Sequence, residues 1–341
     1  MIPGFVEVSQ ESRALAEAEV VSAAETVGGE GHPGDPWNAG LVSVAVPQSS
    51  DWALLASRVA LGRRCLVLVR GGEEPISAAK REGTVGRSAR FRQLGRPSGG
   101  DVDVGPRECG RAYKEGGGRI DLETPQRRFW LVRGSDGREA LLEETAEVDR
   151  TAAARRRMPL LPFQRPVSLP PKLARVAVNL ARVRTGDRVV DPFLGTGALL
   201  AEAGLMGARL YGIDRDPGMV RGAIRNLAHY GLEAEELGVG DARSVEFEDR
   251  DLRFSAVVTD PPYGRSSTTG GSDAAELVAE AMTRWWDRLE PGGRLSLVVP
   301  QGREPPSFGV VPRFRLPVRV HRSLTREFLL FERTGASGTP R

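Results

Sequence analysis

Four consecutive residues, Asp260-Pro261-Pro262-Tyr263, are the part of this chain best suited to chemistry. Two adjacent prolines stiffen the backbone and remove two N–H donors. The Asp260 carboxylate and the neighbouring carbonyls then converge as acceptors only. Such a place suits an amino group with two N–H bonds. The lone pair of an exocyclic ring amine is delocalised and a poor nucleophile. Accepting both protons turns it toward an electrophile, and the gain is largest in the transition state, as the nitrogen becomes positive. Tyr263 can stack on a base, an interaction worth roughly 1–3 kcal/mol, and a base inside a helix must be extruded to reach it. Taken alone, the tetrapeptide also describes a rigid turn after a strand.

Three upstream segments decide against a mere turn. In VVDPFLGTGALLAEA, Val189–Ala203, a strand ends in Asp191, Phe193 follows, and Gly195-Thr196-Gly197 makes a tight turn into a helix. Glycines let the backbone approach a ligand closely, and ligands in such sheets sit at the carboxyl ends of the strands. The spacing is GxG after DPF rather than GxGxxG, and no GK[ST] follows, which excludes a P-loop. In LYGIDRDP, Leu210–Pro217, Asp214 ends the next strand and can accept from two ribose hydroxyls. That fits a nicotinamide dinucleotide or S-adenosylmethionine. Asp216, just before Pro217, is better placed as a helix cap. In VGDARS, Val239–Ser244, Asp241 and Ala242 follow a third strand, where the carboxylate can accept from an adenine amino group. All four in this order point to one ligand site.

The elements that position these residues begin near residue 171. A helix at Lys172–Arg182 precedes strands at Arg188–Asp191, Leu210–Asp214, Leu237–Gly240, Phe254–Asp260 and Arg294–Pro300. Helices at Gly197–Met206, Pro217–Tyr230 and Ser272–Leu289 lie between them. This is the alternation of a parallel, doubly wound α/β sheet. Strands at Arg315–His321 and Glu327–Arg333 are expected to close its edge, and 335–341 to form a disordered tail. Upstream, 1–150 reads as α+β. A strand at Phe5–Val8, a helix at Glu11–Thr26, a strand at Leu41–Val46, a helix at Trp52–Leu61 and a strand at Cys65–Val69 suit a small antiparallel-sheet domain, with Gly28–Pro36 as a loop. A second block has strands at Ser88–Leu94, Arg128–Arg133 and Glu139–Glu144, the last two as a hairpin, and a helix at Arg107–Glu115. Residues 151–170, with Arg155-Arg156-Arg157 and then MPLLPFQRPVSLPP, read as an extended linker.

Composition narrows the rest. The 341 residues carry a net charge of +3, too little to prove a nucleic-acid partner. Lys80, Lys114 and Lys172 leave 45 of the 48 basic residues as arginine, which suits bidentate phosphate contacts but also follows from GC-rich coding or a hot habitat. Cys65 and Cys109 form no metal-ligand spacing, and His32, His229 and His321 form no catalytic arrangement, so no metal is expected. No run of eighteen apolar residues exists and MIPGFVEVSQ is no signal peptide, so a cytoplasmic protein without a membrane span is expected.

The motif order DPFLGTG, GIDRDP, GDAR and DPPYG resembles the amino-methyltransferase branch of the Rossmann-like, class I S-adenosylmethionine methyltransferases. RPVSLPPKLARVAVNLA, Arg165–Ala181, and DPPYGRSS, Asp260–Ser267, are similar to the archaeal tRNA guanosine-10 N2-methyltransferases. The N-terminal half resembles the ferredoxin-like and THUMP modules that bind tRNA there, with GRIDLETP, Gly118–Pro125, like a THUMP strand and turn. The resemblance implies S-adenosylmethionine as cofactor and tRNA as partner. It implies that Asp191, Phe193, Gly195, Thr196 and Gly197 contact the methionine part, that Asp214 holds the ribose, and that Asp241 with Ala242 holds the adenine. Ser168, Leu169 and Lys172 would line the pocket, Asp260 with Pro261 and Pro262 would accept from guanine N2, and Tyr263 would pack the base. Leu194 stands where relatives often carry cysteine. Relatives acting on other tRNA or ribosomal RNA guanines often have asparagine in place of Asp260. Aspartate favours guanosine 10 and keeps open DNA adenine-N6 and cytosine-N4 methylation. An inactive RNA chaperone is disfavoured by intact Asp260 and Tyr263, and a nicotinamide oxidoreductase by DPPY and GxG. A small activating subunit is compatible with the family, and a monomer or weak dimer is expected.

Overall fold

The computed structural model describes residues 1–34, 37, 39–69, 74–95, 104–134, 137–157, 160–165, 168–262, 271–302, 308–321 and 324–334. The chain divides into two units, Met1–Asp149 and Arg150–Arg341. In the first, β1 (Ile2–Val8), α1 (Arg13–Thr26), β2 (Glu30–His32), β3 (Leu41–Val46), α2 (Asp51–Arg58) and β4 (Gly62–Leu68) are followed by α3 (Pro75–Gly83), β5 (Ser88–Gln93), α4 (Pro106–Glu115), β6 (Arg119–Ile120), β7 (Arg127–Arg133) and β8 (Glu139–Glu147). All eight strands form one sheet of order β2-β3-β1-β4-β8-β7-β5-β6. The two blocks expected from sequence thus share a sheet, joined by the antiparallel β4–β8 pair. β7 and β8 form the expected hairpin, whereas β5 runs parallel to β6 and β7, so the sheet is mixed. Two elements differ from expectation. β2 pairs with β3 inside the stretch expected as a loop, its three residues being too few to carry a pattern. α3 starts with proline at its first turn and buries little beyond Ala78 and Ala79, so it has no apolar stripe to announce it.

The helices pack on one face of this sheet, where α2 lays Trp52 against Gly4 and α3 and α4 bury Ala79, Tyr113 and Phe129. On the other face Trp37, Ala39 and Leu94 cover an apolar patch around Leu66 and Val132. The rest of that face carries arginines. Register pairs Glu7 with Arg64, Arg90 with Arg128 and Arg92 with Trp130. Glu144, only 4% exposed, lies beneath Arg64 (3.2 Å) and Arg128 (3.4 Å) and accepts from the Trp130 indole (2.9 Å). Arg64 stacks on the Trp130 ring at 3.9 Å, with Arg92 at 6.0 Å. Partial burial, then repulsion from Arg92 and Arg128, hold Arg90 below the usual guanidinium range. Glu7 and Glu144 lie beneath guanidinium groups, while Glu147, opposite Arg64 in register, is exposed, so the positive part of the face is the stretch around Arg90, Arg92 and Arg128.

The second unit opens with α5 (Ala152–Arg155) and α6 (Pro171–Leu180). β9 (Arg188–Asp191), α7 (Ala198–Gly204), β10 (Arg209–Asp214), α8 (Pro217–His229), β11 (Glu236–Val239), β12 (Phe254–Thr259), α9 (Gly271–Asp287), β13 (Leu289–Pro300), β14 (Phe314–His321) and β15 (Leu324–Glu332) follow. The sheet order is β11-β10-β9-β12-β13-β15-β14. The first five strands are parallel and β15 is antiparallel to both neighbours, so β14 and β15 close the edge as expected. This is the class I methyltransferase variant of the doubly wound fold, with the crossover between β9 and β12 as its switch point. Strands covered on both faces read as apolar runs, such as Val189-Val190 and Ala256-Val257-Val258, all fully buried. Against one face, Tyr211, Phe247, Phe254 and Trp285 pack edge to face at 5.4–5.9 Å.

The segment ahead of α6 is docked on this unit. The Phe163 ring packs against Gly222 of α8, where a Cβ would clash with it at 2.1 Å. Asn226 of α8 brackets the Phe163 backbone with two 3.0 Å bonds. Arg156, from the triple arginine, is bidentate on Glu202 (2.7 and 3.0 Å), which is 2% exposed and also holds Arg175. Its charge is therefore used internally rather than offered to phosphate. No helix among the described residues is long and apolar enough to cross a membrane. The expected tail 335–341 lies outside the described residues.

Candidate active site

Because β10, β9 and β12 are adjacent and parallel, their carboxyl ends bring Asp214, Asp191 and Asp260 side by side. Asp191 is 2% exposed. Its Oδ1 accepts from Thr259 Oγ1 (2.8 Å), at the end of β12, and from the Phe193 amide (3.0 Å). Burial pushes its carboxyl up to about 7, opposed by those two bonds and reinforced by the charges of Asp260 and Asp214. Asp214 accepts from the Gly195 amide (2.8 Å) and the Asp216 amide (2.9 Å), and burial raises it too. Each carboxylate oxygen has a second lone pair, so both can still accept from a ligand. Asp216 caps α8 as expected, its Oδ1 accepting from the Gly218 amide at 2.7 Å.

The loop between β9 and α7 is shaped by its glycines. Gly195 and Gly197 have φ of +52° and +80°, and a Cβ on Gly197 would press on Ala223 at 3.1 Å. Asn226 Nδ2 holds the Thr196 carbonyl at 3.0 Å, and Thr196 Oγ1 meets Ser168 Oγ at 2.7 Å. Ser168 and Leu169 thus line one small cavity with Thr196 and Gly197. Lys172 is exposed on the first turn of α6, outside that cavity. Leu194, the departure from the family pattern, is buried and donates its amide to the Ile213 carbonyl at 2.8 Å. The side chain at this position therefore faces the core.

Asp241 lies after β11, with its carboxylate held by Arg243 at 2.8 Å, which draws it below the ordinary carboxylate value. The buried Ala242 carbonyl accepts from the Trp285 indole at 2.9 Å, so a core tryptophan of α9 pins this loop. Asp260 follows β12, its side chain 12% exposed. Burial pushes it up to about 7 against the pull of Arg326, whose Nη1 donates to Asp260 Oδ1 at 2.7 Å. Pro261 is buried and Pro262 exposed; Tyr263 lies outside the described residues. Arg326 was not identified from sequence. It lies on β15, 66 residues from Asp260, in no motif.

The glycine turn and the row of acids fit a cationic ligand. A sulfonium and an ammonium group would relieve the repulsion among buried carboxylates, whereas a dinucleotide pyrophosphate would add to it. Comparison with known proteins agrees. Residues 160–310 match the family described as "RMKL-like, methyltransferase domain". The tRNA (guanine(10)-N2)-dimethyltransferase of Methanothermobacter thermautotrophicus is 39% identical over 241 residues, 69% of this chain and 70% of that one. The chain belongs to the tRNA guanine(10)-N2 methyltransferase family. The enzyme of the same name from Pyrococcus abyssi is 42% identical over 231 residues, covering 63% of this chain and 64% of that one. A possible methylase from Clostridium difficile 630 shares the fold along its whole length, with a TM-score of 0.50 at 16% identity. S-adenosylmethionine is the cofactor of this methyltransferase, in keeping with the glycine cradle and the acidic strand ends.

Proposed function

We propose that this chain methylates the exocyclic N2 of guanosine 10 in tRNA, with Asp260 as the acceptor for the amine. The observation that carries it is the largely buried Asp260 carboxylate, 12% exposed, beside Asp191 and Asp214 at the strand ends, in a member of this family. Bound here, S-adenosylmethionine supplies an electrophilic methyl group. Asp214 would accept from the ribose hydroxyls. Asp191 and the Gly195–Gly197 turn would hold the methionine end, with Ser168, Leu169 and Phe193 around it. Asp241 and Ala242 would hold the adenine. Asp260 accepts one N–H of the guanine amine and the Pro261 carbonyl accepts the other. As the nitrogen becomes tetrahedral and positive, the carboxylate neutralises its charge and takes the departing proton. A carboxyl with a pKa near neutrality is matched to that task.

The first unit, residues 1–149, is inferred to be the tRNA-binding half, ferredoxin-like and THUMP in type. Its arginine face supports this: Arg64, Arg90, Arg92 and Arg128 form a positive surface on an open sheet, suited to a phosphodiester backbone. The test is transfer of labelled methyl from S-adenosylmethionine to an unmodified tRNA transcript, with nucleoside analysis of the product. N2-methylguanosine or N2,N2-dimethylguanosine, absent when guanosine 10 is replaced, is expected. Product on DNA amino groups instead would move the chain to another substrate class.

A further inference from the structure

We propose that Arg326 is a positioning residue for methyl transfer: it takes one carboxylate oxygen of Asp260 and thereby presents the other to the amine. The proposal rests on the guanine-N2 reading of the site. Its basis is topological. β15 is antiparallel in an otherwise parallel sheet, so its first residues lie where the other strands end. Pairing of Pro300 with Arg326 puts this arginine at the carboxyl end of β13, one strand from β12 and Asp260. Arg326 Nη1 reaches Asp260 Oδ1 at 2.7 Å, with the two side chains 14% and 12% exposed. That bond fixes the carboxylate rotamer and leaves Oδ2 for the substrate.

The charges around Asp260 leave this work to Arg326. Asp191, on the neighbouring β9, is a like charge coupled to it. Among the described residues, Arg326 is the cation acting on Asp260. Burial already pushes the Asp260 carboxyl up to about 7. Without the guanidinium it would hold its proton higher still, and a protonated acid presents an O–H donor where the amine needs an acceptor. A buried ion pair is on balance no strong source of stability, so fold maintenance is a poor reason for this one. The chemistry also separates Asp260 from an asparagine at the same position. An amide oxygen accepts without charge and needs no cation, whereas a buried carboxylate does.

The experiment compares the full chain with Arg326→Met, Arg326→Lys and, as a control in the same hairpin, Arg315→Met, which removes the ion pair with Glu327. Turnover on tRNA is followed from about pH 6 to about pH 9 with both substrates saturating. Arg326→Met should lower kcat about tenfold or more near neutrality, with the KM for S-adenosylmethionine little changed. Its acid limb should move up by about 1–2 pH units, so that kcat approaches wild type at the alkaline end. Arg326→Lys should restore most of the profile, and Arg315→Met should match wild type. The cofactor's own charge acts alike in all of these, so differences between profiles report on Arg326. A reduction independent of pH would make Arg326 a structural anchor, and an unmoved profile would remove it from the site; either overturns the proposal. A wild-type protein that leaves the guanine N2 of tRNA unmodified would instead overturn the functional reading.

Discussion

The two units use the same charged groups in opposite arrangements. In the first, Glu7 and Glu144 are buried and Arg64, Arg90, Arg92 and Arg128 stand over them, so the surface presents cations. In the second, Asp191, Asp214 and Asp260 gather at the strand ends and Arg326 stands to one side, so this end of the sheet carries anions. The difference follows from strand direction. A mixed sheet with one face covered only in part can display long side chains broadside to a polymer. A parallel sheet covered on both faces offers only the ends of its strands, which converge on a small ligand. On the proposed function, one half tracks a polyanion and the other holds a small cation and an amine.

The sharpest way to break this contrast is at the acidic end. Asp260→Ala should lower turnover about a hundredfold or more while cofactor binding persists. Near-normal turnover in this variant would falsify its role as acceptor. Asp214→Ala comes next. It removes a carboxylate that ties the Gly195 turn to β10 and remains open to ribose hydroxyls. Without these charge-assisted bonds, cofactor affinity should weaken by about tenfold to a hundredfold, read by calorimetry. Unchanged affinity would take Asp214 out of the ribose role.

These two positions were legible in the sequence because each closes an apolar strand and opens a glycine- or proline-marked turn. Arg188–Asp191 is observed at the boundaries expected, and the Asp216 cap is where Pro217 indicated. Arg326 was not legible, since antiparallel pairing brings it to the site from far along the chain and arginine on an edge hairpin looks like any solvated residue. The docking of Arg156 and Phe163 was hidden for a similar reason. The proline content of their segment suggests a spacer, while what fastens it are single interactions of Arg156 and Phe163 with Glu202, Gly222 and Asn226. In the first unit, periodicity identified the longer strands but not that β4 and β8 join two blocks into one sheet. Pairing partners leave no local trace.

The basic face gives a smaller effect and a different signature. Replacing Arg90, Arg92 and Arg128 together by alanine should weaken tRNA binding about tenfold or more. It should also flatten the dependence of log affinity on log salt by about 0.7–0.9 for each phosphate that is no longer neutralised. Cofactor affinity should be unchanged. An unchanged salt slope would place the polyanion elsewhere on the chain.

The smallest effect distinguishes charge from shape at the acidic strand ends. The Asp191 carboxyl is raised to about 7, burial being the main cause. A bound cation favours its ionised form, so the value in the complex lies below that in the free protein. Between the two, binding must expel a proton. Affinity for S-adenosylmethionine should therefore be full above neutrality and fall as pH drops through 7, by about threefold between pH 7.5 and 6.5. Calorimetry in buffers of different ionisation heat should show proton release near pH 7. Asp191→Asn has no carboxyl to titrate, so its affinity should sit near the acid-limb value of wild type and vary little with pH. If the variant keeps the wild-type slope, another group carries it, and Asp191 serves its ligand by shape rather than by charge.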